Sequence, residues 1–284
     1  MLQIAIAGLA LTVPSAALAQ NASARATAAG ATRASLPAAG AAGASASAVT
    51  TATASAGGVT ATLSYRDGPG ITTKDERLTI SQNGHIVYRQ AVPSKNCFKA
   101  CSPDDKHPVH VVDLYGDGGE DVVLDLFSGG ADCCTIEQVY VPSAAVNSYV
   151  LTQRNFGEAG SVLKDIGPKG RPEFVSGNGA FYCQFTFCAA SGLPLQIFEF
   201  SGEQFIDVTR QHPKLIAADA SDWIKLYYKH PAQGQGLIAA WAADEENLGL
   251  GATVNTVLQL QTADGHLKGA FVRTLLRFLT KHGY

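Results

Sequence analysis

The chain carries almost no excess charge: 21 lysines and arginines stand against 24 acidic residues, a formal net charge of −3. No stretch interleaves aromatic with basic residues, so the electrostatic footprint of a nucleic-acid binder is missing. Neither a G-x-S-x-G elbow nor a C-x-x-C pair occurs, which removes the usual signals of an α/β-hydrolase nucleophile and of a thioredoxin-like redox centre. The apolar run at the N-terminus is too short for a comfortable membrane span. No cysteine follows that run closely, which argues against a lipid anchor there.

What the N-terminal run does offer is a leader pattern. Residues 1–19 are apolar and end in Ala17-Leu18-Ala19, a small-x-small cleavage signature before Gln20, although no Lys or Arg opens the segment. They are predicted to be a secretory signal peptide. Residues 20–56 are almost entirely Ala, Ser, Thr and Gly. Such a segment has little bulky apolar surface to offset the entropy of ordering, and it is predicted to be a flexible spacer between the cell envelope and the folded part.

From Gly57 the composition changes. Val59 to Arg66, Arg77 to Ser81 and His85 to Val92 read as strands, the last two joined at Asn83-Gly84. Asn-Gly between strand-like runs is the strongest short hairpin signal, because both residues tolerate positive φ. Further strands are predicted at 108–114, 121–128, 135–142, 148–154, 161–166, 172–176, 194–200 and 204–209, many of them separated by breakers such as Gly129-Gly130, Pro142 and Ser201-Gly202. That density predicts a mainly β antiparallel meander over residues 57–210.

After Pro213 the pattern turns helical, with candidates at 213–229, 235–247, 252–262 and 268–282, so that 211–284 forms a helical region packed on the sheet. In the last helix Phe271, Leu275, Phe278 and Leu279 share one face, and Arg273, Arg277 and Lys281 fall on another. A basic amphipathic helix suits a membrane surface, but docking on its own domain with a solvated polar face is the default. Trp223, Tyr227, Tyr228 and Trp241 supply aromatic mass either for that packing or for an interface.

The stretch DLYGDGGEDVVLDLFSGGADCC, residues 113–134, organises the rest. Calcium takes six to eight oxygens on a sharply bent chain. Asp113, Asp117 and Asp121 occupy the first, fifth and ninth positions of such a loop, and Gly118 sits at the sixth, where the turn falls. Tyr115 stands at the third position, where another short oxygen ligand is expected, so water or a main-chain carbonyl would replace it. These residues predict a weak calcium site; an acidic turn between strands is the alternative.

The loop resembles the DxDGDGxxD signature of FG-GAP/VCBS repeats, and the whole run resembles a group of secreted bacterial proteins with a DGDG…GGAxCC stretch. The runs PEFVSGNGAFYCQFTF, LPLQIFEFSGEQFIDVTRQHP and the terminal HGY fit the same group, so the resemblance spans roughly residues 105–284. It implies calcium-binding blades of a β-propeller type and a bacterial, exported location, with no assigned activity. An internal echo points the same way: residues 109–124 align with 160–176, placing Asp165 at Asp113, Gly170 at Gly118 and Glu173 at Asp121, but Lys169 at Asp117. A lysine there repels a cation, so the second loop is expected to keep only the turn. A period of about 50 residues suits a four-stranded blade. About three such units fit between 57 and 210, a partial propeller.

The six cysteines, Cys97, Cys101, Cys133, Cys134, Cys183 and Cys188, all lie between 97 and 188. An even number in an exported chain suggests disulfides, with fifteen possible full pairings. The preferred scheme closes Cys97–Cys101 and Cys183–Cys188, leaving Cys133 and Cys134 as a vicinal pair or as partners of other loops; a bridge from the 97–101 loop to 133–134 is the alternative. Cys97, Cys101, His107 and His110 have zinc's ligand types, but the interval between Cys101 and His107 is much shorter than in ordinary fingers.

Two functions follow. The first is an exported, non-enzymatic binding or structural domain, disulfide-stabilised and calcium-binding, engaging an envelope or extracellular partner. The second is an exported hydrolase of an envelope polymer, using carboxylates near 113–137 such as Asp125, Asp132 and Glu137. It requires two carboxyl groups facing one cleft, one with a raised pKa.

Overall fold

A computed structural model of the chain describes residues 48–69, 72–93, 97, 101–104, 107–129, 134–167, 170–231 and 234–284. The expected signal peptide, 1–19, and most of the expected spacer lie outside these residues.

The sequence carries three successive antiparallel meanders. The first sheet is β1 (Val49–Ala56), β2 (Val59–Asp67), β3 (Thr73–Gln82) and β4 (His85–Ala91), in that order. The second holds β5 (Ser102–Pro103), β6 (Val109–Val112), β7 (Asp121–Phe127), β8 (Thr135–Ser143) and β9 (Ser148–Gly157). β5 and β6 follow one another along the same edge of β7, pairing Ser102 with Phe127 and Val109 with Leu124. The third is β10 (Ser161–Asp165), β11 (Pro172–Gly177), β12 (Leu195–Ser201) and β13 (Gln204–Asp207). Asn83 and Gly84 both take positive φ, 50° and 82°, in the two-residue turn from β3 to β4, as their chemistry predicts.

The sheets stack because the second is apolar on both faces. Leu124, Leu126 and Ile136 pack with Leu63, Leu78 and Ile80 of the first sheet. Val123, Val139 and Phe156 point the other way, into a cluster with Phe174, Phe198 and Phe200 of the third. Burial on both sides is why β7 reads as a nearly unbroken apolar run rather than an alternating one. The fold is thus mainly β with antiparallel sheets, as expected, and the described residues form three sheets and no closed barrel or ring.

One boundary moves. Val49–Ala56, placed in the spacer by composition, is β1, paired residue for residue with β2. Ala52, Ala54 and Ala56 turn toward the core while Thr53 and Ser55 bond across to Thr62 and Thr60 at 3.1 and 2.9 Å. A segment without bulky side chains is ordered here because its neighbour supplies both the ladder and the apolar floor.

Four helices close the chain: α1 (Pro213–Lys229), α2 (Gln235–Asn247), α3 (Gly251–Ala263) and α4 (Gly269–Lys281). They share a core with Phe181 and Leu193 from the long β11–β12 connection. Leu275 and Leu279 of α4 are buried in it, and so are Tyr227 and Trp241. The apolar face of α4 and most of this aromatic mass therefore pack internally, although Tyr228 is exposed. The β11–β12 connection lies tight on α2: a Cβ at Gly236 would fall 2.7 Å from the carbonyl oxygen of Ala190. The start of β12 is clamped by two carboxyl groups, the Leu195 N–H donating to Asp219 Oδ2 of α1 at 3.1 Å and Asp244 Oδ1 of α2 at 3.2 Å. Among the described residues no helix is long and apolar enough to cross a membrane.

Candidate functional site

The acidic loop joins β6 to β7 and is folded by its own first residue. Asp113 Oδ1 accepts hydrogen bonds from the N–H groups of Gly116 (2.6 Å) and Asp117 (3.2 Å), and Oδ2 accepts one from Gly118 (2.7 Å). Gly118, at φ 85°, supplies the left-handed turn. Burial alone would raise the Asp113 pKa, but these amides and that of Tyr115, led by Gly118, hold the carboxyl below its usual range. Asp117 Oδ1 accepts from the Gly119 N–H at 2.8 Å. Asp121 is 2 % exposed. Burial raises its carboxyl to about 7; a bond from the Leu114 N–H opposes this, and the charges of Asp117, Asp113 and Glu120 reinforce it. In this conformation the loop is a closed turn. No group of three or more His, Cys, Asp or Glu side chains among the described residues is arranged to hold a metal ion.

The same register recurs in the next hairpin. Val112 pairs with Asp121 and Lys164 with Glu173, both acids are buried, and Gly170 has a positive φ of 64°. Lys169, expected to exclude a cation, lies outside the described residues.

Two of the three acids weighed for hydrolysis do meet. Asp125 and Glu137 are direct cross-strand partners on the face of the second sheet turned to the third. Asp132 lies outside the described residues. His110 Nε2 sits 2.7 Å from Asp125 Oδ2, and the Ser161 hydroxyl donates to Glu137 Oε1. Burial, then the adjacent Asp125 charge, pushes Glu137 well above the usual carboxyl range. Glu137 is only 2 % exposed and shut between two sheets, so the raised acid faces packing rather than a cleft, while Asp125 is partly exposed beside His110.

The disulfides close the two short loops expected, Cys97–Cys101 and Cys183–Cys188. Both alternatives for the first loop fall with that pairing: Cys97 and Cys101 neither bridge to 133–134 nor present thiolates to zinc. Cys134 is also disulfide-bonded, and Cys133 lies outside the described residues.

A cavity of about 200 Å³ opens beside the acidic loop, between Tyr115, Asp117, Asp121 and Pro142, and larger ones lie elsewhere. A cavity of about 350 Å³ opens where the third sheet meets the C-terminal helices, walled by Asn178, Gln196, Asp207, Arg210, Asn247 and Tyr284 among others. A second, of about 450 Å³, shares Asn178 and Gln196 and continues toward Arg154, Asn155, Glu158 and Tyr182. Asn178 follows β11 and caps a single 3-10 turn, its Oδ1 accepting from the Ala180 N–H at 3.0 Å. Its Nδ2 donates to the Tyr284 hydroxyl at 2.8 Å. Burial raises the Tyr284 phenol far above its usual range, so it stays protonated. Arg210 is fixed by bonds from Nε to Asn247 Oδ1 (3.1 Å) and from Nη2 to the Gly283 carbonyl (2.7 Å). The Arg154 guanidinium lies 3.8 Å from the centroid of the Phe198 ring.

None of these groove residues was singled out from the sequence. Isolated Asn, Gln and Arg carry no spacing signal, and the walls come from positions 134–284, with Cys134, expected only as a disulfide cysteine, at the edge of the second cavity. The one hint was indirect: Asn178, Gln196, Asp207, Arg210 and Tyr284 fall in the later runs that carry the resemblance to secreted bacterial proteins.

No family model, curated protein or solved structure matches the chain.

Proposed function

We propose that this is an exported, non-enzymatic binding domain, stapled by disulfides, that engages an envelope or extracellular ligand through the groove at the junction of the third sheet and the helices. The observation that carries the reading is the groove wall: amide, phenol and guanidinium groups from distant segments, with Asn178 bonded to Tyr284, Arg210 bonded to Asn247, and Arg154 of β9 stacked on Phe198. Preorganised polar groups around a concavity are the usual form of a ligand site. The short disulfide loops support an oxidising compartment, and the three stacked meanders support kinship with FG-GAP-type blades. Hydrolysis is the weaker reading because Glu137 is sealed by Ser161 and the third sheet.

A millimolar calcium site at the acidic loop is a second reading. It is favoured by Asp121, whose carboxyl is driven to about 7 by burial and then by three neighbouring acids; a divalent cation relieves that repulsion. Drawing Asp113 off its amides costs part of the gain, consistent with the affinity range of extracellular calcium modules.

Co-sedimentation of the oxidised protein with insoluble bacterial envelope material tests the groove. Wild type is expected in the pellet, and the Gln196→Ala/Gln211→Ala double variant, which strips two amides from the first cavity, in the supernatant with an unchanged melting midpoint. Equal sedimentation of the two overturns the reading.

A further inference from the structure

Resting on that binding reading, we infer that the groove's ligand is a neutral oligosaccharide of at least two sugar units, lying across Asn178 and Gln196 with one unit in each cavity. Charge narrows the ligand class first. The first cavity sets Arg210 and the imidazole of His282 against Asp207, and the second sets Arg154 against Glu158. Neither wall has the cationic surplus that phosphates or acidic polymers require, nor the converging carboxylates a cation requires.

Hydrogen-bonding character comes next. Asn178, Gln196, Gln211 and Asn247 line the first cavity and Asn155 the second. Each side-chain amide both donates and accepts, the capacity that vicinal hydroxyls match in both directions. The Tyr284 hydroxyl accepts from Asn178 and donates to no group among the described residues. Tyr182 adds a half-buried ring, whose apolar face suits the C–H face of a pyranose, and Tyr284, its ring packed edge-on against Phe181 in the helical core, adds its hydroxyl.

A peptide fits less well. Peptides add to sheets along free strand edges. Of the third sheet's strands at the groove, β11 and β12, which present Asn178 and Gln196, are inner and already paired on both sides, and the edge strand β13 reaches it only with its last residue, Asp207. A lipid chain fits less well still, because charged and amide side chains line both cavities.

The test is isothermal titration of the oxidised protein with chitotetraose, cellotetraose and maltotetraose, their monosaccharides, tetragalacturonate, and a pool of extended decapeptides. At least one neutral tetrasaccharide is expected to bind, at least tenfold more tightly than its monosaccharide. Affinity is expected to hold between 50 and 500 mM salt and to fall about tenfold or more in Gln196→Ala/Gln211→Ala, the loss of two hydrogen bonds. Binding by none of the three neutral sugars overturns the inference, as does preference for tetragalacturonate or the peptides, or an undiminished affinity in the double variant. Envelope co-sedimentation separates the two failures. If it is lost in the double variant while no sugar binds or competes, the groove stands and the sugar class falls. If the double variant still sediments, both fall.

Discussion

The Tyr115 hydroxyl accepts a hydrogen bond from the backbone N–H of Glu203 at 3.1 Å, tying the acidic loop of the second sheet to the β12–β13 turn of the third. Its ring meets Phe200 edge-on at 5.8 Å, and Thr152 of β9 donates to the Glu203 carbonyl at 2.9 Å. On its other side the loop lies against the turn from β1 to β2, where a Cβ at Gly57 would collide with the Glu120 side chain. Tyr115, which looked like a missing calcium ligand, is an inter-sheet anchor.

Tyr115→Phe is therefore expected to lower unfolding free energy by about 1 kcal/mol, the worth of one hydrogen bond. Tyr115→Asp, which restores the repeat signature, is expected to cost roughly 1 kcal/mol more by removing the ring contact with Phe200. Urea unfolding of both variants checks the order; Tyr115→Asp more stable than wild type without added metal would contradict the anchor.

Calcium at 10 mM is expected to raise the melting midpoint at pH 8 by a few degrees, the effect of a ligand with a dissociation constant of about 1 mM. Asp117→Ala abolishes the rise. Because Asp121 titrates at about 7 and must lose its proton to the cation, the rise shrinks at pH 6. A midpoint indifferent to calcium at both pH values leaves the loop as a turn alone.

Asp244 is buried beside Asp219, and burial followed by the Asp219 charge lifts its carboxyl to about 10. The folded state thus holds a proton that the unfolded chain releases near the usual value of 3.8. Its contribution is full below that value, declines as pH rises, and is gone above about 10. Asp244→Asn keeps a donor toward Asp219 and does not titrate. The variant is expected to gain on wild type between pH 5 and 9, by up to about 1.4 kcal/mol per pH unit. Parallel stability profiles would show that Asp244 does not carry the proton.

Removing residues 49–56 together with everything before them is expected to lower the midpoint by more than about 5 °C relative to removing 1–47 alone, since it strips an edge strand from the first sheet. Equal midpoints in scanning calorimetry would mean that β1 adds nothing to stability.

Period and punctuation in the chain are enough to place β2 to β4, β6 to β13 and the four helices. The Asn83-Gly84 turn, the Gly118 bend and the four helices from Pro213 onward follow from local φ/ψ preference and apolar spacing, which act within a few residues. The short disulfides were readable for the same reason, since Cys97–Cys101 and Cys183–Cys188 close loops over separations of 4 and 5 residues. β1 was missed because its Ala and Thr side chains have no drive of their own and gain one only beside β2. Tyr115 was read as a defect because its partner, Glu203, is 88 residues away. The groove lay furthest from view: Arg154, Asn178, Arg210 and Tyr284 come to adjoining concavities only when the stacked sheets and helices bring them there. Local sterics write themselves into neighbouring residues; convergence across distant segments is set by which faces bury against which.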